Sequence, residues 1–321
     1  MLDDMLRRRL ESLNRGPLPT NAAQVGQVTD RPPRATLSPP AKAGSPQPAM
    51  DRMRVAKLIP GLLRRGEVVT TSGGVHLRIL LPLDELWPGG LRRVAARAEH
   101  LRQLAADANR AVEPNVVIDA DFAALVAALP DRVLWLDLET CGLAGSALFL
   151  VGLLRSIDGV PTVELLLARN YAEEPAILET LWQTAAGHEV LVTFNGKSFD
   201  WPMVADRSVR HRLATPAAMG ARVAGDAAKS AANDRVAELV HVDVLHYARR
   251  RWRNQLPDCR LQTLEQAVCR RHRSGDIPGH RIPAAYAEFV RTGFERDMDA
   301  ILHHNALDLV TLLDLTLRLA G

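Results

Sequence analysis

The sequence predicts an α/β protein in which one mixed sheet is covered by helices. Three observations predict it. The apolar runs VLWLDLET, ALFLVGLLRSI and TVELLLARN follow one another, with Asp158-Gly159 as a turn signal between the last two. Two later runs, EVLVTFNG and HVDVLHYA, are each reached through a helical segment, AEEPAILETLWQTAAG and DWPMVADRSVRHR. Three further helical segments close the chain: LQTLEQAVCRRH, IPAAYAEFVRTG and DMDAILHHNALDLVTLLDLTLRLAG. Consecutive strands suit an antiparallel meander, and strands separated by helices return by crossovers.

The elements before the meander are of a different kind. Residues 1–15 read as a short amphipathic helix. TDRPPRATLSPPAKAGSPQPAMDR is too rich in proline, serine, alanine and basic residues to bury much apolar surface, so residues 1–53 read as a flexible tail. From about Arg54, GEVVTTSGGVHLRILLPLDELWPGG holds two β-rich runs split by Ser-Gly-Gly, a hairpin signature. LRRVAARAEHLRQLAADANR, residues 91–110, reads as a helix. Residues 54–114 are therefore a small N-terminal extension, and residues 115–321 the main domain. Within the latter, AEEPAILETLWQTAAG has acids in its first turn and a glycine at its end, as helices do. Residues 213–238 are Ala-rich and poor in aromatics, and read as an inserted loop that either modifies substrate access or is inert.

A length of 321 residues suits one large domain, or one domain plus a smaller piece. A net charge of +3 argues only weakly for an anionic partner, so local clusters must carry that case. Cys141, Cys259 and Cys269 are scattered, which favours a reducing cytoplasm and argues against a cysteine zinc site. No apolar run approaches the ~18 residues of a membrane span. The N-terminus lacks the apolar core of a secretory signal. No P-loop appears, so no nucleotide cofactor is expected.

Asp137 and Glu139 stand two apart in an apolar strand, so their side chains share a face while Leu136 and Leu138 face the other way. Adjacent buried carboxylates repel, and a cation or a proton must resolve the conflict. On this segment alone, the solvated acidic face of an edge strand fits equally well. Asp200 follows a strand end at which Gly196 permits a turn, and it starts a helix, where it serves either as a ligand or as an N-cap. His304 and Asp308 are four apart and so lie on one helix face, whereas Asp314 falls on another face and reads as solvated. Four carboxylates without cysteine suit hard cations, and two Mg²⁺ or Mn²⁺ ions about 4 Å apart are a clamp for phosphodiester hydrolysis.

The motifs Asp137-x-Glu139-Thr140, Asn195-x-x-x-Phe199-Asp200 and His304-x-x-x-Asp308 resemble those of the DEDD 3′–5′ exonucleases in the ribonuclease H-like superfamily. The YprB-like branch is closer still. Its ordered motifs are matched by Asp137 to Leu143, Phe194 to Pro202, His241 to Arg250, Cys259 to Glu265, Asp276 to Gly279 and His304 to Asp308. The hairpin GEVVTTSGGVHLRILLP also resembles the extension of that branch. The resemblance implies a ribonuclease H-like fold and a two-metal site. Asp137 would bridge both ions, with Glu139, Asp200 and Asp308 completing the set. It also makes His304 the candidate general base, as a neutral imidazole near pH 7. His303 matches the wider histidine spacing of some relatives, but His304 shares the face of Asp308.

Arg249, Arg250, Arg251 and Arg253 around Trp252, and Arg270, Arg271 and Arg273 in CRRHR, are candidate phosphate contacts or else a solvated face. Thr140, Asn195, Lys197 and Phe199 lie within the site motifs as candidate substrate contacts. Asp243 reads equally as an acid supporting the ligands or as a satisfied strand-end residue. The expected function is a divalent-metal-dependent nuclease acting on DNA or RNA. A silent nucleic-acid-binding module and a structure-specific endonuclease are the alternatives.

Overall fold

A β-meander joined to two parallel strands is the frame that positions the acids. The computed structural model describes residues 54–108, 119–142, 145–213 and 239–319. The N-terminal helix, the Pro-rich tail and the insert beyond Leu213 lie outside the described residues.

The described chain opens with β1 (Arg54–Lys57), which pairs in parallel with residues 271–274 as a two-stranded sheet. The hairpin follows as β2 (Glu67–Thr71) and β3 (Gly74–Pro82). β3 alternates Leu77, Ile79 and Leu81 into the core, as a strand with one buried face should. Next come the short helix α1 (Leu83–Leu86), α2 (Gly90–Ala108) and α3 (Ala120–Ala128). α3 was not foreseen in the sequence; it starts where the Asp119 side chain accepts from the Phe122 N–H at 3.0 Å.

The meander is β4 (Val133–Thr140), β5 (Leu148–Ile157) and β6 (Val160–Leu167). α4 (Glu174–Ala185) leads to β7 (Val190–Thr193), and α5 (Asp200–Arg210) precedes β8 (Val240–Asp243). The seven strands lie in the order β2-β3-β6-β5-β4-β7-β8. The pairs from β2 to β4 are antiparallel, and β4-β7 and β7-β8 are parallel. The mixed α/β sheet expected from the sequence is thus present. The N-terminal hairpin extends it, because β3 pairs with β6 from Leu77↔Leu167 to Pro82↔Thr162.

HVDVLHYA is only half a strand. α6 (Val244–Trp252) begins directly after β8, because Asp243 caps it by accepting from the Leu245 N–H at 3.1 Å. α7 (Leu261–Ala267) is likewise shorter than LQTLEQAVCRRH, since the chain then extends into β9 (Arg271–Ser274) beside β1. α8 (Ile282–Thr292) ends at Gly293, whose φ of 71° is the left-handed C-terminal stop that glycine favours. α9 (Met298–Leu319) is buried along most of its length and packs on β4, β5 and β6.

One buried carboxylate ties these layers together. Glu174, 1% exposed at the start of α4, accepts from Leu148 N at 2.8 Å and from Arg207 Nε of α5 at 2.7 Å. His211 Nε2 lies 2.9 Å from the same carboxylate. Breaking such a buried pair costs roughly 3–5 kcal/mol, so the start of β5 and the helix carrying Asp200 are held in fixed relation.

Candidate active site

Asp137 sits mid-strand in β4, opposite Gly152 of β5. That glycine is a packing necessity: a Cβ there would lie 1.8 Å from Asn305 Oδ1 of α9. The close approach lets Asn305 Nδ2 donate to Asp137 Oδ2 at 2.7 Å, which seats the helix on the acidic strand. Asp200 reaches the site through a built turn. Asn195 adopts φ 66°, and the Asp243 carboxylate accepts from Asn195 N at 2.8 Å and Lys197 N at 3.2 Å. Gly196 completes it, because a Cβ would come within 2.4 Å of Thr193. Asp243 is therefore a satisfied strand-end residue that shapes the loop before Asp200.

The four carboxylates act on one another electrostatically. Burial, then Asp308, Glu139 and Asp200, raise the Asp137 carboxyl well above its ordinary range. Burial lifts Glu139 to about 8; His304 opposes this, and Asp308 and Asp200 add to it. Burial also lifts Asp200 to about 7, against its own backbone N–H and with Asp243 assisting. Side chains from β4, α5 and α9 thus share one strongly negative neighbourhood of low polarity.

Cations already in the protein answer part of that charge. Arg273 of β9 donates to Asp308 and, through Nε, to Glu265 at 2.7 Å. Burial works against the Arg273 charge, but Asp308 and Glu265 outweigh it and raise its pKa. Arg271 is 3% exposed, with Asp314 at 3.6 Å and Glu265 at 3.7 Å. Two of the arginines read as phosphate contacts are therefore internal ion-pair partners, because β9 turns them inward. Asp314 is corrected for the same reason: it is 4% exposed rather than solvated, bonded by Arg318 Nε at 2.7 Å and facing Arg271.

His304 Nδ1 lies 2.8 Å from Asp276 Oδ1, and its Nε2 lies 3.5 Å from Asp308 Oδ2. Burial pulls its pKa down, but the Asp276 bond, Asp308 and Glu139 outweigh burial and lift it to about 9. These groups hold the imidazole toward its protonated form, opposite to the neutral form expected of a general base near pH 7. His303 goes the other way: burial lowers it to about 4, against Asp276.

The remaining candidates are placed around this cluster or away from it. Thr140 Oγ1 donates to Gly142 O at 2.6 Å. Phe199 is 39% exposed just before Asp200. Lys197 points to Asp121, with Nζ 3.6 Å from Oδ2. Arg250 bonds Asp119 at 3.2 Å and lies 4.4 Å over the Tyr247 ring. Arg249 lines a separate recess with Arg253 and Asp258. Sequence reasoning missed Asn305, the Asp276 partner of His304, and the Arg273 clamp. The glycine inside the apolar strand ALFLVGLLRSI was the available signal for the first, since such a glycine marks close backbone approach.

Among the described residues, no three histidine, cysteine, aspartate or glutamate side chains are grouped closely enough to hold an ion as they stand. Arg273 on Asp308 and Asn305 on Asp137 occupy two of the carboxylates. The donor chemistry nevertheless fits hard divalent ions, being all carboxylate, with Asp137, Glu139 and Asp200 raised on balance despite Arg273 near Asp137 and His304 near Glu139.

An antiparallel meander extended by two parallel strands and flanked by helices defines a ribonuclease H-like, nuclease-type fold. The chain belongs to the RNase_H superfamily, whose family model matches residues 134–320. The chain is similar to the uncharacterized protein YprB of Bacillus subtilis (strain 168), with 29% identity over 193 residues. That match covers 59% of this chain but only 42% of the relative, so the chain matches less than half the relative's length. Among solved structures it is similar to E. coli exonuclease I in complex with a dT13 oligonucleotide. The TM-score is 0.33 and the identity 16%, over 56% of this chain and 46% of that one. No described helix is long and apolar enough to cross a membrane.

Proposed function

We propose that the chain is a divalent-metal-dependent nuclease, a DEDD-type 3′–5′ exonuclease of nucleic acid. What supports the reading best is the burial of Asp137 and Glu139, which raises both carboxyls and to which Asp308 and Asp200, from elements far apart in sequence, add. Family membership supports it. Asp137, Glu139, Asp200 and Asp308 would hold two Mg²⁺ or Mn²⁺ ions, which supply Lewis-acid activation of water and neutralise charge on the phosphate.

The residues of this chain do the rest. Asp276 fixes the His304 ring through Nδ1, so that Nε2 stays on the Asp308 side to take the proton of the attacking water. The Asp276 bond, then Asp308 and Glu139, raise His304, and compensation of the Asp308 and Glu139 charge would lower it toward the neutral form that this step needs. Asn305 holds Asp137 in register with the helix. Arg273 holds Oδ1 of Asp308, which leaves Oδ2, on the His304 side, as the oxygen that would serve as a ligand.

That last contact favours a second reading, in which Arg273 replaces the cation and the fold is a silent nucleic-acid-binding module. The test is a matched panel of single- and double-stranded DNA and RNA with Mg²⁺ or Mn²⁺. The first reading expects mononucleotides from free 3′ ends and none from blocked ones. Cutting of blocked strands marks an endonuclease. Binding without hydrolysis at millimolar Mn²⁺ sinks the nuclease reading.

A further inference from the structure

The arginines around Trp252 do not form one surface. Arg250 turns to Asp119 and Arg249 to the recess beside Asp258. Arg251 instead lines a cavity of about 700 Å³ at the C-terminal end of α9, together with Arg93, Arg97, His100 and Arg318. These come from α2, α6 and α9. Asp314 is the acid among the lining residues, and it is bonded by Arg318. Trp87 and Trp252, 3% and 9% exposed, also line the cavity. The indoles give the cavity a wall of low dielectric, which focuses the field of the charges around it.

The arrangement exceeds what capping the helix requires. Arg97 Nε donates to Leu317 O at 2.9 Å and Arg251 Nη1 to Leu319 O at 3.3 Å, satisfying terminal carbonyls of α9. One such bond leaves most of the five donors of the Arg97 guanidinium available. Arg93 and His100 are exposed and make no side-chain bond or ion pair with a described residue, so neither serves the fold. Arg93, Arg97 and His100 follow one another at four- and three-residue spacing along α2 and so line the cavity from one helix face, a row of donors that matches a ligand with repeated anionic groups.

We propose that this cavity binds the phosphodiester backbone of a nucleic-acid strand, at a site separate from the acidic cluster. The choice of polyanion rests on the nuclease reading. Leu317, which lines the cavity, is nine residues from Asp308 along one helix, about 14 Å at 1.5 Å per residue. At about 3.6 residues per turn the same spacing puts Leu317 about half a turn round the helix from Asp308, so the cavity lies on a different face from the acidic cluster.

The test uses the full chain carrying Arg93→Gln and Arg97→Gln. The control carries Arg281→Gln and Arg296→Gln, an equal charge loss at exposed positions elsewhere. Binding of a labelled dT20 strand is measured in chelator as salt is varied. Loss of two phosphate contacts lowers the slope of log K against log salt by about 1.4, at about 0.7 per single-strand contact. The control slope stays at the wild-type value. With metal, the variant keeps wild-type hydrolysis of the p-nitrophenyl ester of thymidine 5′-phosphate, and its KM rises for the long strand only. Equal slopes in variant and control overturn the proposal. So does a variant whose affinity changes for thymidine monophosphate but not for the strand. Absence of all hydrolysis would sink the nuclease reading while the slope still decides the cavity.

Discussion

Glu139→Gln should stabilise the metal-free protein at alkaline pH. Glu139 is half-buried beside Asp137 and near Asp308 and Asp200, and its carboxyl is lifted from 4.5 to about 8. A folded-state value above the unfolded one means that the folded protein keeps its proton longer. The stability Glu139 contributes is therefore intact below about pH 4.5 and is lost as pH rises through about 8. The shift, 8 − 4.5 = 3.5 pH units, corresponds to at most about 5 kcal/mol at about 1.36 kcal/mol per unit. Partial exposure and the sharing of charge with Asp137 reduce this to about 2–5 kcal/mol. Glutamine imitates the protonated acid and escapes the loss. At roughly 2–4 °C per kcal/mol for a chain of this size, its Tm should exceed wild type by about 4–20 °C at pH 8.5. Near pH 4.5 the two should melt together. Thermal scans in chelator at both pH values read the difference. Millimolar Mn²⁺ should close the gap by stabilising the wild type more, since an ion bound only to the folded state adds RT ln(1 + [L]/Kd). A variant no more stable than wild type at pH 8.5 would show that burial and the neighbouring carboxylates do not raise Glu139 as argued.

Further outcomes follow from the same contacts. Asp137→Asn should lower hydrolysis on the order of 10³-fold, about 4 kcal/mol of barrier, with the melting temperature at pH 8.5 held or raised; an unchanged rate refutes the site. Gly152→Ala drives a methyl into Asn305, so it should destabilise by about 1–3 kcal/mol and lower activity, whereas Gly152→Ala with Asn305→Ala should recover much of the stability in a double-mutant cycle. His303, 2% exposed and depressed to about 4, is held neutral. The stability it contributes is complete above about 6.5 and falls as pH drops toward 4, by up to about 3 kcal/mol for its 6.5 − 4 = 2.5 units. His303→Leu should flatten the stability profile over that interval, as read by urea titration.

The meander, the two returning strands and the carboxylate positions were legible in the residues, because strand burial and two-residue alternation are local properties of the chain. HVDVLHYA was misread because one contact, Asp243 capping α6, overrides the β propensity of the residues that follow. Asp314 was misread because helix periodicity tells which residues share a face and not what covers it. β9 and its Arg271, pairing with β1 from the far end of the chain, cover that face.

The sequence by itself determined that acids stand at residues 137, 139, 200 and 308 on strand, helix start and helix, and that the chain folds as a mixed sheet around them. Only the tertiary structure decided which charges answer them. Arg273 on Asp308, Asp276 on His304 and Asn305 on Asp137 all join segments distant in sequence. The reason is physical: the protonation and freedom of a buried carboxylate depend on every charge and dipole within a few ångströms, and that set exists only after the chain has packed.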